Sequence, residues 1–361
     1  TAGPTVRWCR DALSGGAIRA IVVNSGNANV FTGKAGARDV SATAAMTAQV
    51  LGAKPSDIMV SATGVIGERL PIAKITRALP GLIGDVAASS RADIWKKAAE
   101  AISTTDTYPK GASTQAKIGG KVVNLSGIAK GSGMIAPNMA TMLAYVFTDA
   151  KLPAPVLQSL LRDAAERSFN AITVDSDTST SDTVLLVATG AGAAHKPITK
   201  ASDPALRDFK RKLDEVMLDL AHQIIRDGEG ATKFITIDVT GAASNRAAKV
   251  IAMSIANSPL VKTAFAAGDA NWGRIVMAVG KAGEKINADK LAIRVGGIKI
   301  TENGAARKGY KEAPVARHMK GKNIDVSVNV GAKPVKQSGT ARVWTCDLTH
   351  GYISINADYR S

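Results

Sequence analysis

Residues 129–143 (AKGSGMIAPNMATML) combine a lysine, a flexible Gly-Ser-Gly turn and a threonine that opens an apolar run. The glycines permit backbone conformations closed to other residues, and Pro137 ends regular structure before Thr141 enters a predicted buried strand. The hydroxyl of Thr141, preceded by the small Ala140, could attack the carbonyl before it. That rearrangement would cut the chain and give Thr141 a free α-amine beside its hydroxyl, the threonine form of an activated nucleophile. On pattern alone, a threonine at a strand start is more often a β-branched structural residue.

The same segment resembles the self-cleavage segment of the glutamate N-acetyltransferase family, also called ornithine acetyltransferases. The resemblance implies that the bond between Ala140 and Thr141 is cut autocatalytically. The products would be an α subunit of residues 1–140 and a β subunit of residues 141–361. It also implies that Thr141 is the nucleophile and carries the acetyl group.

Two further motifs offer groups that could surround an acyl carbonyl. A hydroxyl followed by glycine at a strand end, Thr63-Gly64, could present a side-chain donor and a backbone N–H to an oxyanion, or could be an ordinary turn. The surrounding SATGVIGERLP resembles the family's oxyanion segment, which implies that Thr63 and Gly64 polarise the carbonyl. Lys130 is either a solvated loop lysine or, by the resemblance, a substrate contact whose charge suits an α-carboxylate. Residues 104–107 (TTDT) resemble a segment of the family's substrate pocket. The resemblance implies that Thr105, or alternatively Thr104, contacts the substrate.

Candidate substrate-binding residues also lie in the C-terminal half. Glu229 lies between two glycines just past a predicted helix, where a polar loop is the plain interpretation. GEGATKF resembles a family segment whose glutamate faces the substrate, which implies that Glu229 pairs with the side-chain ammonium of ornithine. The ending from Trp344 onward resembles the family's C-terminus, and Asn356 and Ser361 fall on its substrate-contacting positions.

The activity that the resemblance implies is acyl transfer in two halves. The α-amine of Thr141 would act as the base for its own hydroxyl, which attacks the acetyl carbonyl of N-acetylornithine while Thr63 and Gly64 hold the oxyanion. Ornithine leaves, and glutamate takes the acetyl group to give N-acetylglutamate in the acetyl cycle of arginine biosynthesis, with ping-pong kinetics. Some family members also accept acetyl-CoA. The resemblance further implies a heterotetramer of two cleaved heterodimers, located in the bacterial cytoplasm or the fungal mitochondrial matrix, and no cofactor.

Composition narrows the class of protein. The 361 residues carry a formal net charge of +16, which indicates either a nucleic-acid surface or attraction of anionic substrates. Because the basic residues are scattered and aromatic residues make up only 4%, the second interpretation is favoured and no nucleic-acid partner is expected. No apolar stretch of about 18 residues occurs, so no membrane span is expected. Cys9 and Cys346 are predicted to be buried, and no metal motif occurs. The start at Thr1, without a methionine, predicts missing N-terminal residues relative to the family.

Alternating strand and helix patterns predict an α+β fold, and the resemblance implies an N-terminal-nucleophile type with helices packed on mixed sheets. Residues 58–62 are predicted to form a strand and 206–226 a helix with one apolar stripe. Residues 352–355 are predicted to form a strand, and the basic stretch 307–322 a loop.

Two rival functions remain open from the sequence. An N-terminal-nucleophile aminopeptidase or amidase of the same superfamily would give the acyl group to water, although those relatives usually present serine. A basic nucleic-acid-binding protein would bind nucleic acid with a steep salt dependence.

Overall fold

The structure, a computed structural model, describes residues 2–88, 93–136 and 142–358. Helices and strands are interspersed along these residues. The helices are α1 Pro4–Ala12, α2 Gly33–Leu51, α3 Ile72–Ala88, α4 Asp93–Ala101, α5 Ala154–Arg167, α6 Arg207–Arg226, α7 Asn245–Ala256, α8 Pro259–Ala266, α9 Trp272–Gly280, α10 Glu312–Met319 and α11 His350–Asp358. The strands are β1 Ala20–Asn24, β2 Ile58–Ala62, β3 Lys110–Ile118, β4 Lys121–Lys130, β5 Leu143–Thr148, β6 Ile172–Thr173, β7 Thr183–Ala188, β8 Phe234–Ala242, β9 Ala292–Val295, β10 Ile298–Glu302, β11 Ala305–Ala306, β12 Asn323–Asn329 and β13 Gly339–Cys346.

The described residues form two compact units. The N-terminal unit consists of residues up to 170 together with 177–224, and the C-terminal unit consists of 171–176 together with the residues from 225 onward. In the N-terminal unit, β1 and β2 pair in parallel, and a four-stranded sheet has the order β3-β4-β5-β7. The β3–β4 and β4–β5 pairs are antiparallel, whereas β5–β7 is parallel.

Helix α6 covers the four-stranded sheet through its apolar stripe. The residues of this stripe are all at most 3% exposed, namely Leu213, Val216, Met217, Leu220 and Ile224. Strand β4 carries Gly127 beneath this helix, where an added Cβ would lie 3.0 Å from a methyl carbon of Leu220. The absence of a side chain at Gly127 therefore lets α6 pack closely on the strand that ends at Lys130.

The C-terminal unit contains a seven-stranded mixed sheet of order β11-β10-β9-β12-β8-β13-β6. Helix α7 packs on two neighbouring strands of this sheet, β8 and β13. The buried face of α7 repeats every three or four residues and consists of Ala247, Ala248, Ile251, Ala252, Ile255 and Ala256. Ser244 begins this helix by accepting the Ala247 N–H with its hydroxyl oxygen.

These sheets and helices confirm the predicted α+β class, and both cysteines are free and buried as predicted. The strand predicted at 352–355 is wrong, because these residues lie inside α11. The Gly351 N–H donates to the Thr349 hydroxyl and the Tyr352 N–H to the Thr349 carbonyl, so Thr349 starts a helix that the alternating sequence does not reveal.

The loop predicted over 307–322 is also wrong in part, because α10 lies within it. Pro314 falls in the first turn of this helix, where a missing backbone N–H costs nothing. Val315 and Met319, four residues apart, are fully buried and anchor the helix to the unit.

Candidate active site

The predicted oxyanion residues lie where β2 ends. Thr63 is fully buried, and its N–H donates to the Asn24 carbonyl at 3.1 Å. Gly64 has φ +126°, and an added Cβ would lie 2.3 Å from the carbonyl carbon of Gly26 and 2.5 Å from the nitrogen of Asn27. Only glycine fits this position, so the turn is fixed against the neighbouring loop. Among the described residues, neither the Thr63 hydroxyl proton nor the Gly64 N–H has an acceptor.

Lys130, the last residue of β4, is 2% exposed and points to the same turn. Its Nζ donates to Thr63 Oγ1 at 3.3 Å and to Thr104 Oγ1 at 2.9 Å. Because the Thr63 oxygen accepts from an ammonium, its own proton is directed to another acceptor. Lys130 is therefore not the solvated lysine of the plain sequence interpretation. Its ammonium polarises the Thr63 hydroxyl, whose own proton is left to donate elsewhere.

Asp106 organises this cluster and was not singled out from the sequence. Its side chain is fully buried, and it accepts from Lys110 Nζ at 2.6 Å and from the Gly131 N–H at 2.7 Å. Lys130 Nζ lies 4.0 Å from its other oxygen. Burial raises the pKa of Asp106, but the charges of Lys130 and Lys110 and the Gly131 hydrogen bond outweigh it and hold the pKa below the ordinary value. One carboxylate among two ammonium groups leaves the cluster positive, which favours an anion or an oxyanion.

Thr105 lies between two members of this cluster, Thr104 and Asp106, and is partly buried. The structure gives the Lys130 contact to Thr104, the alternative weighed from the sequence, whereas no hydrogen bond of Thr105 is seen within the described residues. The Thr104 N–H donates to Asp106, which closes the turn that presents Thr105. The position of Thr105 is thus fixed by its two neighbours.

In the C-terminal unit, the structure brings Glu229 and Asn356 together. Glu229 is 8% exposed, and its Oε2 accepts from Asn356 Nδ2 at 2.7 Å. Asn356 lies on α11, and its Nδ2 also donates to the Tyr352 carbonyl. Among the described residues, no lysine, arginine or histidine lies within ion-pair distance of Glu229. A buried carboxylate held only by an amide is costly unless a cation joins it.

Backbone contacts hold the Glu229 loop against the start of α11. Gly230 has φ +67°, and an added Cβ would lie 2.3 Å from the Tyr352 nitrogen. The Thr349 hydroxyl donates to the Gly230 carbonyl at 2.6 Å. On the other side, Asp347 accepts the Thr232 N–H at 2.8 Å and also binds the Thr232 hydroxyl. The pairing of Glu229 with Asn356 therefore rests on a rigid support.

The predicted site residues thus fall into two described groups, one in each unit. Thr63, Gly64 and Lys130 form the first with Thr105 beside them, and Glu229 and Asn356 form the second. Ala140, Thr141 and Ser361 lie outside the described residues. In the part of the chain that the structure describes, no three His, Cys, Asp or Glu side chains are grouped to hold a metal ion, and no helix is long and apolar enough to cross a bilayer.

Comparison with known proteins gives consistent matches along the whole chain. A sequence profile of the ArgJ family matches residues 1–361. A Gluconobacter oxydans protein named arginine biosynthesis bifunctional protein ArgJ is 54% identical over 359 residues, which cover 99% of this chain and 82% of that protein. An Agrobacterium fabrum protein of the same name is 51% identical over 358 residues, covering 99% and 85%. The crystal structure of the arginine biosynthesis bifunctional protein from Bacillus halodurans superposes with a TM-score of 0.55 at 40% identity, over 58% of this chain and 96% of that one.

Proposed function

This chain belongs to the ArgJ family, and we propose that it transfers an acetyl group from N-acetylornithine to glutamate in arginine biosynthesis. The observation that carries the proposal is the turn after β2. There a lysine holds the Thr63 oxygen, and the Thr63 hydroxyl proton and the Gly64 N–H have no acceptor among the described residues. Two fixed donors in a buried, positive setting are what a developing oxyanion needs.

Thr141 is the proposed nucleophile. Self-cleavage between Ala140 and Thr141 would free the α-amine that takes the proton of its own hydroxyl. The hydroxyl oxygen then bonds to the acetyl carbon of N-acetylornithine, the C–N bond breaks, and ornithine leaves with the proton. The glutamate amine attacks the acetyl-threonine, and Thr141 recovers its proton as N-acetylglutamate departs. Thr63 and Gly64 donate to the carbonyl oxygen in both halves.

Glu229 is the proposed partner of the ornithine side-chain ammonium. Its carboxylate is buried, held by Asn356, and has no cation within reach among the described residues. A substrate that brings a positive charge would complete this pair, and a neutral analogue would leave the charge buried alone. Thr105, Lys130, Asn356 and Ser361 are proposed as the other substrate contacts.

The strand order supports a cleaved chain that stays assembled. Lys130 on β4 pairs with Leu143 on β5, and the two strands remain paired as far as Leu125 and Thr148. Fragments 1–140 and 141–361 would therefore share one hydrogen-bonded sheet, because β4 belongs to the first and β5 to the second. We further propose that two such heterodimers form a heterotetramer in the cytoplasm and that acetyl-CoA serves as a second donor.

The test is an acetyl-transfer assay on the purified protein. With N-acetylornithine and glutamate, we expect N-acetylglutamate and ornithine in equal amounts, and no product from Thr141→Ala. Release of acetate without transfer to glutamate would support the amidase alternative instead. Activity retained in Thr141→Ala would overturn the proposal.

A further inference from the structure

We propose that Asp182 is a positioning residue that fixes the start of β5 and thereby the nucleophile Thr141. The inference rests on the proposed function. It concerns a carboxylate that neither the sequence motifs nor the oxyanion group includes. Asp182 directly precedes β7, forty positions beyond the strand start that it contacts.

The contact is made to the peptide that joins Thr141 to Met142. The Met142 N–H donates to Asp182 Oδ1 at 3.0 Å, and the Met142 carbonyl accepts the Thr183 N–H at 3.1 Å. Parallel pairing of Leu143 with Thr183 continues this ladder into β5 and β7. Both backbone polar groups of Met142 are therefore held by two consecutive residues of one neighbouring segment.

Self-cleavage makes this anchor necessary. Before the cut, Thr141 is held from both sides by the chain; afterwards it is a terminus, and chain ends fray unless they are tied down. The Asp182 bond is made at the amide that immediately follows Thr141, so few rotatable bonds separate the anchor from the reactive hydroxyl. A misplacement of about 1 Å at a reacting group lowers the rate by about 100-fold.

The setting of Asp182 also links it to the oxyanion group. Burial raises the pKa of Asp182 to about 8, against the opposing effects of the Met142 hydrogen bond and of the Lys130 charge on β4. The same Lys130 ammonium holds Thr63. The Asp182 carboxyl group thus contacts the residue that follows the nucleophile. It also lies within the electrostatic influence of Lys130, the lysine that orients the Thr63 hydroxyl.

The experiment compares Asp182→Ala and Asp182→Asn in the full-length protein, with Asp208→Ala as the control. Asp208 also accepts a backbone N–H, that of Lys117 at 2.7 Å, in the same unit. We expect Asp182→Ala to lower kcat for N-acetylornithine by about 10- to 100-fold with little change in KM. Asp182→Asn, which keeps an acceptor oxygen, should recover most of kcat, and the control should match the wild type.

A kcat for Asp182→Ala equal to that of the wild type, or an Asp182→Asn variant as slow as Asp182→Ala, would overturn the inference. If Asp182→Ala does not fold, Asp182→Glu replaces it, because the added methylene displaces the acceptor by about 1.5 Å. A lower kcat for that variant supports the inference, and wild-type kcat refutes it. Thr141→Ala, measured alongside, separates the two proposals: if it is active, the proposed function fails, and if it is inactive while Asp182→Ala is normal, only this inference fails.

Discussion

Replacing Glu229 by glutamine removes one buried charge and little else. Glu229 is 8% exposed and accepts from Asn356 Nδ2 at 2.7 Å. Glutamine has the same length and keeps an oxygen that can accept this bond. The substitution therefore tests the negative charge while the support from the Gly230 loop and α11 stays in place.

The size of the expected loss in kcat/KM follows from the ammonium that ornithine would bring to Glu229. No cation lies within ion-pair distance of Glu229 among the described residues, so an incoming ornithine ammonium would form a new charge-assisted hydrogen bond. Such bonds contribute about 1.5–3 kcal/mol. At about 1.4 kcal/mol for each factor of ten, Glu229→Gln should lower kcat/KM for N-acetylornithine by roughly 10- to 100-fold.

The assay measures kcat/KM with N-acetylornithine as donor and, in the reverse direction, with N-acetylglutamate. The second donor has a carboxylate at its side-chain end, so its kcat/KM should be unchanged or higher in Glu229→Gln. The free energy of unfolding should not fall, because the variant removes a buried charge that lacks a cation.

The matched control is Glu166→Gln, since Glu166 accepts from Asn170 Nδ2 at 2.9 Å in an exposed pair of the same chemistry. It should leave both donors unaffected. Equal losses for both donors, or no loss for N-acetylornithine, would refute the assignment of Glu229 to the ornithine ammonium.

Three further substitutions test the remaining groups. Asp106→Asn leaves the ammonium groups of Lys110 and Lys130 buried without their shared carboxylate, and should destabilise the protein by about 3–5 kcal/mol; an unchanged urea midpoint would contradict this. Gly64→Ala forces a Cβ to within 2.3 Å of backbone and should reduce kcat by about 100-fold through displaced oxyanion donors, whereas wild-type kcat would exclude that role. Because the raised pKa of Asp182 makes the folded state hold a proton that the unfolded state has lost, wild-type stability should fall as pH rises from about 4 to about 8. Asp182→Asn should lack that part of the slope in melting temperatures measured across this range, and an identical slope would contradict the cause.

Elements set by local pattern were predicted from the sequence with little error. Strand β2 has the predicted bounds, and α6 begins one residue later than predicted. Strand β2 is a short apolar run whose five residues are all buried, and α6 has a 3.6-residue period that matches its buried stripe. Strand β4 runs on past Ser126 and Gly127 to Lys130, because pairing with β3 and β5 continues where the local apolar signal stops.

Features set by distant contacts were missed or misassigned. The sequence Tyr-Ile-Ser-Ile alternates as a strand does, yet residues 352–355 are helical because the Thr349 cap and the backbone of Gly230 fix the start of α11. Asp106 had a local signal, a lysine four positions later, but its contact with Lys130 depends on how β3 and β4 pair. Asp182 is not among the predicted site residues, since Met142, the residue that it contacts, lies forty positions away.

The site residues proposed from family resemblance divide into those that the structure describes and those that lie outside the described residues. Thr63 with Lys130, and Glu229 with Asn356, are in contact within their own units. No sequence pattern in either segment specifies these pairs, because each joins residues more than sixty positions apart. The roles of Thr141 and Ser361 stay predictions that mutation must test.

The central claim is that Thr141 becomes a chain terminus and carries the acetyl group. Intact-mass measurement of freshly purified protein, before and after addition of N-acetylornithine without glutamate, tests both parts at once. We predict two fragments that separate between Ala140 and Thr141, with one acetyl group added to the 141–361 fragment and removed again by glutamate. A single uncut chain, or an acetyl group on neither fragment, would contradict the account.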